Sequence, residues 1–112
     1  MAAKRVLIVL GKLKRGGAET LVMNIYRTID RSVVQFDFIV HTPDRYDYDD
    51  EIESLGGKIY RFPQYNVLNH FEYKRCWNRF FAEHPEYRII HAHMTGSASV
   101  FLPIAKKYGL VT

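Results

Sequence analysis

The 112-residue chain has the length of one compact domain, and its 47% hydrophobic and 14% aromatic residues are ample for a packed core. Its single cysteine, Cys76, excludes an internal disulfide framework and a zinc finger, and it favours a cytoplasmic location. The net charge of +4 is uneven, because an acidic stretch over 44–57 separates two basic zones. This pattern is compatible with anionic lipids, phosphorylated ligands, nucleic acid or plain solubility, and by itself selects none of them.

The chain begins with a strand, a glycine turn and a helix. "RVLIVLG" is an apolar run too short for a signal peptide or a membrane span, and it predicts a strand buried on both faces of a parallel sheet. In "AETLVMNIYRTID", Leu21, Ile25 and Ile29 are spaced four residues apart, with Val22 and Tyr26 beside them. This spacing predicts an amphipathic helix whose apolar face includes all five side chains.

The rest of the chain keeps alternating between strands and helices. Further strands are predicted in "VVQFDFIVHTP", "KIYRFP", "YRIIHAH" and, only beginning, "LVT". Helices are predicted before Gly56 and Gly57, in "LNHFEYKRCWNRFFAEHPEY", where Asn69 and Glu72 have capping-box spacing, and in "TGSASVFLPIAKKYG". Pro103 predicts that the last of these is kinked or starts late. The fold class is therefore α/β, a single doubly wound Rossmann-like domain with a parallel sheet, and its ending in a nascent strand predicts a longer parent polypeptide.

The first turn, "GKLKRGGAE", is the first candidate ligand site. It lacks the lysine and hydroxyl residue of a P-loop, and the chain lacks the glycine pattern and the acidic strand end of a dinucleotide fold. Gly16 and Gly17 would let a ligand approach the backbone, and the following helix start would favour a phosphate, with Lys14 and Arg15 adding charge. The alternative is a tight turn that needs glycine only for its backbone angles.

Two other motifs have the residue types of metal or ligand sites. Asp47 and Asp49 have an Asp-x-Asp spacing, but they lie in a polar loop where acids at a helix start explain them better. "HAH" ends the fourth strand, and two histidines without a third ligand make a weak metal site. His93, beside Thr95 and Ser97, is better placed to hydrogen-bond a polar ligand, while one histidine of the pair is structural.

The aromatic helix has a core stripe and a basic side. Its core stripe contains Tyr73, Cys76, Trp77, Phe80 and Phe81. Phe71 instead falls among Lys74, Arg75 and Arg79, as in a helix at a membrane surface, so contact with an anionic membrane is a hypothesis. Nucleic-acid binding is not expected, because the aromatic residues mostly follow the core stripe.

Three segments in order resemble the N-terminal half of GT-B glycosyltransferases of family 4, of the bacterial capsular and exopolysaccharide type. They are Gly16-Gly17-Ala18-Glu19 after the first strand, "YDYDDEIESLGGKIYRFP", and "IIHAH" before a helix of small residues. The resemblance covers essentially the whole chain. It is specific for the family and uninformative about the substrate.

The resemblance implies the acceptor-binding half of a retaining enzyme that moves a sugar from a nucleotide diphosphate, with a UDP-sugar expected, to a hydroxyl of a glycan or lipid-linked acceptor. It implies that no essential metal or cofactor is needed. By position, Gly16 and Gly17 match the glycine loop near the donor diphosphate, and His93 matches the histidine that reaches the transferred sugar. Lys14, Arg15, Thr95 and Ser97 are possible acceptor or sugar contacts.

The family's donor-binding half, with its Glu-x7-Glu signature, lies outside these 112 residues, so the chain alone is expected to be inactive. A cytoplasmic location, in part at the inner face of the membrane, is expected. The alternative is a non-catalytic Rossmann-like module that binds a phosphorylated ligand.

Overall fold

The computed structural model describes residues 4–11, 17–93 and 97–112. Within them, four parallel strands form one sheet in the order β3-β2-β1-β4. The strands are β1 (Lys4–Val9), β2 (Val34–Val40), β3 (Ile59–Arg61) and β4 (Ile89–Ala92). The helices are α1 (Gly17–Thr28), α2 (Asp49–Ser54), α3 (His70–Glu83) and α4 (Ala98–Lys107), and a 3-10 turn, Val67–Asn69, precedes α3. The predicted α/β class and parallel sheet are confirmed.

The sheet is covered on both faces, as in a doubly wound domain. Along β1, Leu7 and Val9 pack against α3 and α4, whereas Ile8 and the following Leu10 pack against α1 and α2. This alternation explains why the strand reads as a continuous apolar run, since both of its faces are buried. The predicted fifth strand is represented by a parallel bridge between Val111 and Ile89.

The buried face of α1 differs from the predicted one. Leu21 and Ile25 are exposed, and the buried side chains are Val22, Met23 and Tyr26. Tyr26 lies inward because its ring packs on the sheet while its hydroxyl donates a 2.5 Å hydrogen bond to Gln35. The spacing of Leu21, Ile25 and Ile29 therefore predicts the wrong centre for the buried face of α1. The observed face is centred on Val22, Met23 and Tyr26, because the Tyr26 hydroxyl has a buried hydrogen-bond partner.

The start of α3 also differs from the predicted capping box. Asn69 pairs with Asn66, not with Glu72, and each asparagine side chain accepts from the backbone N–H of the other. The reciprocal bonds cap the 3-10 turn and leave α3 without a side-chain cap. In α4, Pro103 lies inside the helix, which begins five residues earlier at Ala98, so Pro103 does not mark the helix start.

One buried carboxylate joins all four strand regions. Asp37 of β2 is fully buried and accepts two hydrogen bonds from Arg5 of β1, at 2.7 and 2.9 Å. It also accepts from the backbone N–H of Lys58, just before β3, at 2.9 Å, and from the hydroxyl of Tyr87, just before β4. A buried carboxylate is tolerated only where such partners satisfy it, so this cluster fixes the register of the sheet.

Replacing Asp37 with alanine should therefore lower the free energy of unfolding by about 3–5 kcal/mol, because the Arg5 guanidinium and two other donors lose their acceptor. Urea unfolding followed by circular dichroism measures this change. Asp50→Ala is the matched control, since its side chain is 94% exposed, and its midpoint should stay close to that of the unmodified chain. Equal midpoints for the two variants would contradict the role given to Asp37.

Candidate functional site

The carboxyl edge of the sheet brings together the ends of three strands and the start of α1. Backbone hydrogen bonds continue past the regular strands, from His41 N to Gly11 O at 2.8 Å and from His93 N to Val9 O at 3.0 Å. These bonds fix both histidines at the edge where ligands bind in open parallel sheets. Of the predicted site residues, the structure thus describes His93, Gly17 and Ser97 at this edge.

His93 has a partly buried side chain with one ring nitrogen that lacks a hydrogen-bond partner among the described residues. Its Nε2 is buried and has no hydrogen-bond partner within the described ranges. Burial lowers the pKa of His93, the neighbouring His91 ring at 4.4 Å lowers it further, and the Glu19 carboxylate in the first turn of α1 opposes them. The imidazole is therefore held neutral and carries one N–H and one acceptor nitrogen near the start of α1.

Gly17 is the first residue of α1 and is exposed. Its φ is not positive, and a Cβ added to it would meet none of the described atoms within 4 Å. For Gly17, the structure therefore disfavours the interpretation that the turn needs glycine for its backbone angles. The predicted residues Lys14, Arg15, Gly16 and Thr95 lie outside the described residues.

A buried chain of polar side chains lies beneath this edge. His41 Nδ1 is 3.0 Å from the carbonyl oxygen of Leu10, and His41 Nε2 is 2.6 Å from the Tyr73 hydroxyl. A second hydrogen bond of 3.1 Å joins the hydroxyls of Tyr73 and Ser97. Ser97 is thus buried, and its hydroxyl is hydrogen-bonded to Tyr73 beneath the carboxyl edge. Its predicted contact with a ligand stays a prediction.

The protonation states of His41 and Tyr73 follow from their surroundings. Burial lowers the pKa of His41 and raises the pKa of Tyr73, so both groups are neutral near pH 7. The carbonyl of Leu10 can only accept, so His41 Nδ1 carries the proton and Nε2 accepts from the Tyr73 hydroxyl. These hydrogen bonds link β1, β2, α3 and the start of α4 without any buried charge.

The sequence alone does not predict these hydrogen bonds among Leu10, His41, Tyr73 and Ser97. Tyr73 lies on the predicted core stripe, which is confirmed, whereas no role is predicted for His41. The available signal was a histidine at the end of an otherwise apolar strand, the same signal that selected His93.

The Asp-x-Asp segment has the role expected of acids at a helix start. Asp49 is the first residue of α2, is buried, and forms a 2.5 Å ion pair with Arg61 of β3. No group of three potential metal ligands occurs in the part of the chain that the structure describes. Asp49 is therefore a structural residue that joins α2 to the edge strand.

These features define a doubly wound α/β domain whose carboxyl edge offers a neutral histidine beside a helix start. The chain is similar to a protein of Bacillus subtilis (strain 168) named "Putative glycosyltransferase EpsF", with 41% identity over 104 residues. The similarity covers 93% of this chain and 27% of that relative, so the chain spans little more than a quarter of its length. No protein family and no solved structure matched the chain. The similarity supports a glycosyltransferase family and is consistent with part of such an enzyme.

The lowered pKa of His41 predicts a loss of stability on acidification. The unfolded chain binds a proton near the ordinary histidine pKa of 6.5, whereas folded His41 resists protonation until a lower pH. The free energy of unfolding should therefore fall as the pH drops below 6.5, and His93 should contribute in the same direction.

Urea unfolding at a series of pH values between about 5 and 7 tests this prediction. In His41→Gln the decrease toward low pH should be smaller than in the unmodified chain, whatever the overall stability of the variant. An unchanged pH dependence would show that His41 is not the group responsible.

Proposed function

We propose that this domain is the acceptor-binding, N-terminal half of a retaining GT-B glycosyltransferase of family 4. Such an enzyme would transfer a sugar from a nucleotide diphosphate, most simply a UDP-sugar, to a hydroxyl of a glycan or lipid-linked acceptor in cell-surface polysaccharide synthesis. The observation that carries the proposal is the 41% identity to the Bacillus subtilis relative across 93% of this chain. The position of His93 beside the start of α1 supports it.

The start of α1 suits a leaving diphosphate. Free backbone N–H groups at a helix start present partial positive charge, and Gly17 leaves open space where a larger side chain would stand. As the bond to the donor sugar breaks, negative charge develops on the diphosphate, and oriented N–H groups stabilise it. In this proposal the glycine turn with Gly16 performs the same task, Lys14 and Arg15 add positive charge, and no metal is required.

The neutral state of His93 suits the other half of the reaction. The donor sugar develops positive charge as it approaches an oxocarbenium-like state, so an imidazolium beside it would be repulsive. A neutral imidazole can instead hydrogen-bond a sugar hydroxyl without placing a second positive charge beside the sugar. The lowered pKa of His93 therefore agrees with a role next to the transferred sugar, with Thr95 as a further candidate contact.

A complete active site needs a second, donor-binding domain in the same polypeptide or in a partner. The crevice would then form between the carboxyl edge of this sheet and that domain. The isolated chain is accordingly expected to show no sugar transfer. Tight nucleotide binding by the isolated chain, with no transfer once the second domain is joined, would favour the alternative of a phosphate-binding module without catalysis.

The first test replaces His93 with alanine in a polypeptide that contains both domains. The turnover number should fall by about a hundredfold or more, with a smaller change in KM for the donor, because the contact matters most in the transition state. His91→Ala is the matched control, since the exposed His91 ring lies 4.4 Å from the His93 ring, and the variant should keep most of the activity. Full activity in His93→Ala, with a fold unchanged by circular dichroism, would remove His93 from the site.

The second test replaces Gly17 with valine. The domain should remain folded at near-normal stability, because a Cβ added at Gly17 meets none of the described atoms within 4 Å and valine has a higher helix propensity than glycine. The KM for the nucleotide-sugar donor should rise by about tenfold or more through steric exclusion. Gly17→Ala should have an intermediate effect, and an unchanged KM in both variants would place the donor elsewhere.

A further inference from the structure

Three large apolar side chains protrude together where the chain enters α3. Leu68 is 99% exposed, Val67 is 86% exposed and Phe71 is 78% exposed. We refer to Val67, Leu68 and Phe71 as the apolar tip. Single exposed apolar residues are common on protein surfaces, but three within five residues on one protruding turn mark an interaction surface.

The apolar tip is held in place by hydrogen bonds. The reciprocal bonds between Asn66 and Asn69 close the 3-10 turn at 2.8 and 2.9 Å, and Asn69 Nδ2 donates to Gln64 O at 2.7 Å. Tyr65, just before the turn, shares a 2.8 Å hydrogen bond with His70, just after it. The exposure of the apolar tip is thus a consequence of a defined turn, because these bonds satisfy the local polar groups and direct the apolar side chains outward.

Two basic side chains follow the apolar tip on the same helix. Lys74 and Arg75 follow it on the exposed side of α3, and they outnumber Glu72, the acid nearest to it in sequence. Lys74 also lines a groove of about 660 Å³ between α3 and α4, together with His70 and Lys107. An apolar protrusion with a basic border is the surface that binds a bilayer containing anionic lipids.

The size of the surface argues against a protein partner. A stable protein interface covers roughly 800 Å² on each partner, and three side chains fall well short of that area. A bilayer requires no matching surface, so a small convex tip with nearby cations is sufficient. In the described ranges no helix combines the length and apolarity needed to cross a membrane, so any contact through this surface would be peripheral.

We propose that the apolar tip inserts into the headgroup region of an anionic lipid bilayer, with Lys74 and Arg75 beside the lipid phosphates. The apolar tip lies at the start of α3, which follows β3 and therefore belongs to the carboxyl edge of the sheet. Within the first turn of α3, Tyr73 reaches the buried chain under that edge through its 2.6 Å bond to His41. Taken with the proposed function, this places the acceptor crevice close to the membrane and specifies a lipid-linked acceptor.

The test is flotation of the purified chain with vesicles, in the absence of any sugar donor. Vesicles of phosphatidylcholine with about one third phosphatidylglycerol should bind the chain, pure phosphatidylcholine should bind it weakly, and added salt should release it. Leu68→Ser should reduce binding to the anionic vesicles by about tenfold. Lys74→Glu should reduce it by about threefold or more, with a weaker salt dependence.

Val33→Ser is the matched control, because Val33 is 59% exposed and precedes β2, at the opposite edge of the sheet. It should bind like the unmodified chain, and circular dichroism should show that every variant is folded. Unchanged binding in Leu68→Ser, or no vesicle binding by the unmodified chain, would overturn the proposal. Loss of self-association in Leu68→Ser, without vesicle binding, would assign the surface to a second copy and also overturn it.

Vesicle binding requires no catalysis, so the result is independent of the proposed sugar transfer. A catalytically inactive His93→Ala variant should bind vesicles normally. Normal vesicle binding in a protein that transfers no sugar would reject the proposed function and retain the membrane surface. Sugar transfer to a soluble acceptor without vesicle binding would retain the proposed function and reject the membrane surface.

Discussion

The arrangement of this domain depends on the buried Asp37 carboxylate, which holds the four strand regions in one register. Its partners are Arg5 of β1, Lys58 directly before β3 and Tyr87, which lies two residues before β4, so each strand is fixed relative to β2. A one-residue shift of any partner strand would leave a charge or a donor buried without a partner, at a cost of several kcal/mol. The apolar layers on both faces supply most of the stabilisation, and the carboxylate adds a directional constraint that apolar contacts lack.

The carboxyl edge is organised by a different kind of interaction. Neutral hydrogen bonds from Leu10 through His41 and Tyr73 to Ser97 position the edge, and burial keeps these groups uncharged. A neutral framework beneath the crevice leaves the electrostatic field there to the helix start and to any bound ligand. The domain therefore separates the two tasks, with its buried ion pair at Asp37 within the sheet and an uncharged scaffold under the candidate site.

The sequence was sufficient to predict the order of the elements and the parallel sheet, because continuous apolar strands alternate with amphipathic helices. It was less informative where polar groups decide the geometry. Tyr26 turns α1 through its bond to Gln35, and Asn66 takes the capping role expected of Glu72; both effects depend on partners that spacing alone does not identify. For the site, a histidine at a strand end is the signal that selects His93, and its role there stays a prediction. The hydrogen bonds that join His41, Tyr73 and Ser97 could not be predicted, because only packing brings these residues together.

The two faces of α3 connect the proposed membrane surface with the proposed crevice. Phe71 points outward at the helix start, while Tyr73, two residues later, points inward and hydrogen-bonds the residues under the carboxyl edge. Because a helix turns by about 100° per residue, such a pair lies on nearly opposite sides of one rigid turn. Any force that fixes Phe71 at a bilayer therefore also fixes the orientation of His41 and Ser97 relative to the membrane. An acceptor with a lipid tail would then meet the crevice in one orientation, and the cost of orienting it would be met when the domain binds the surface.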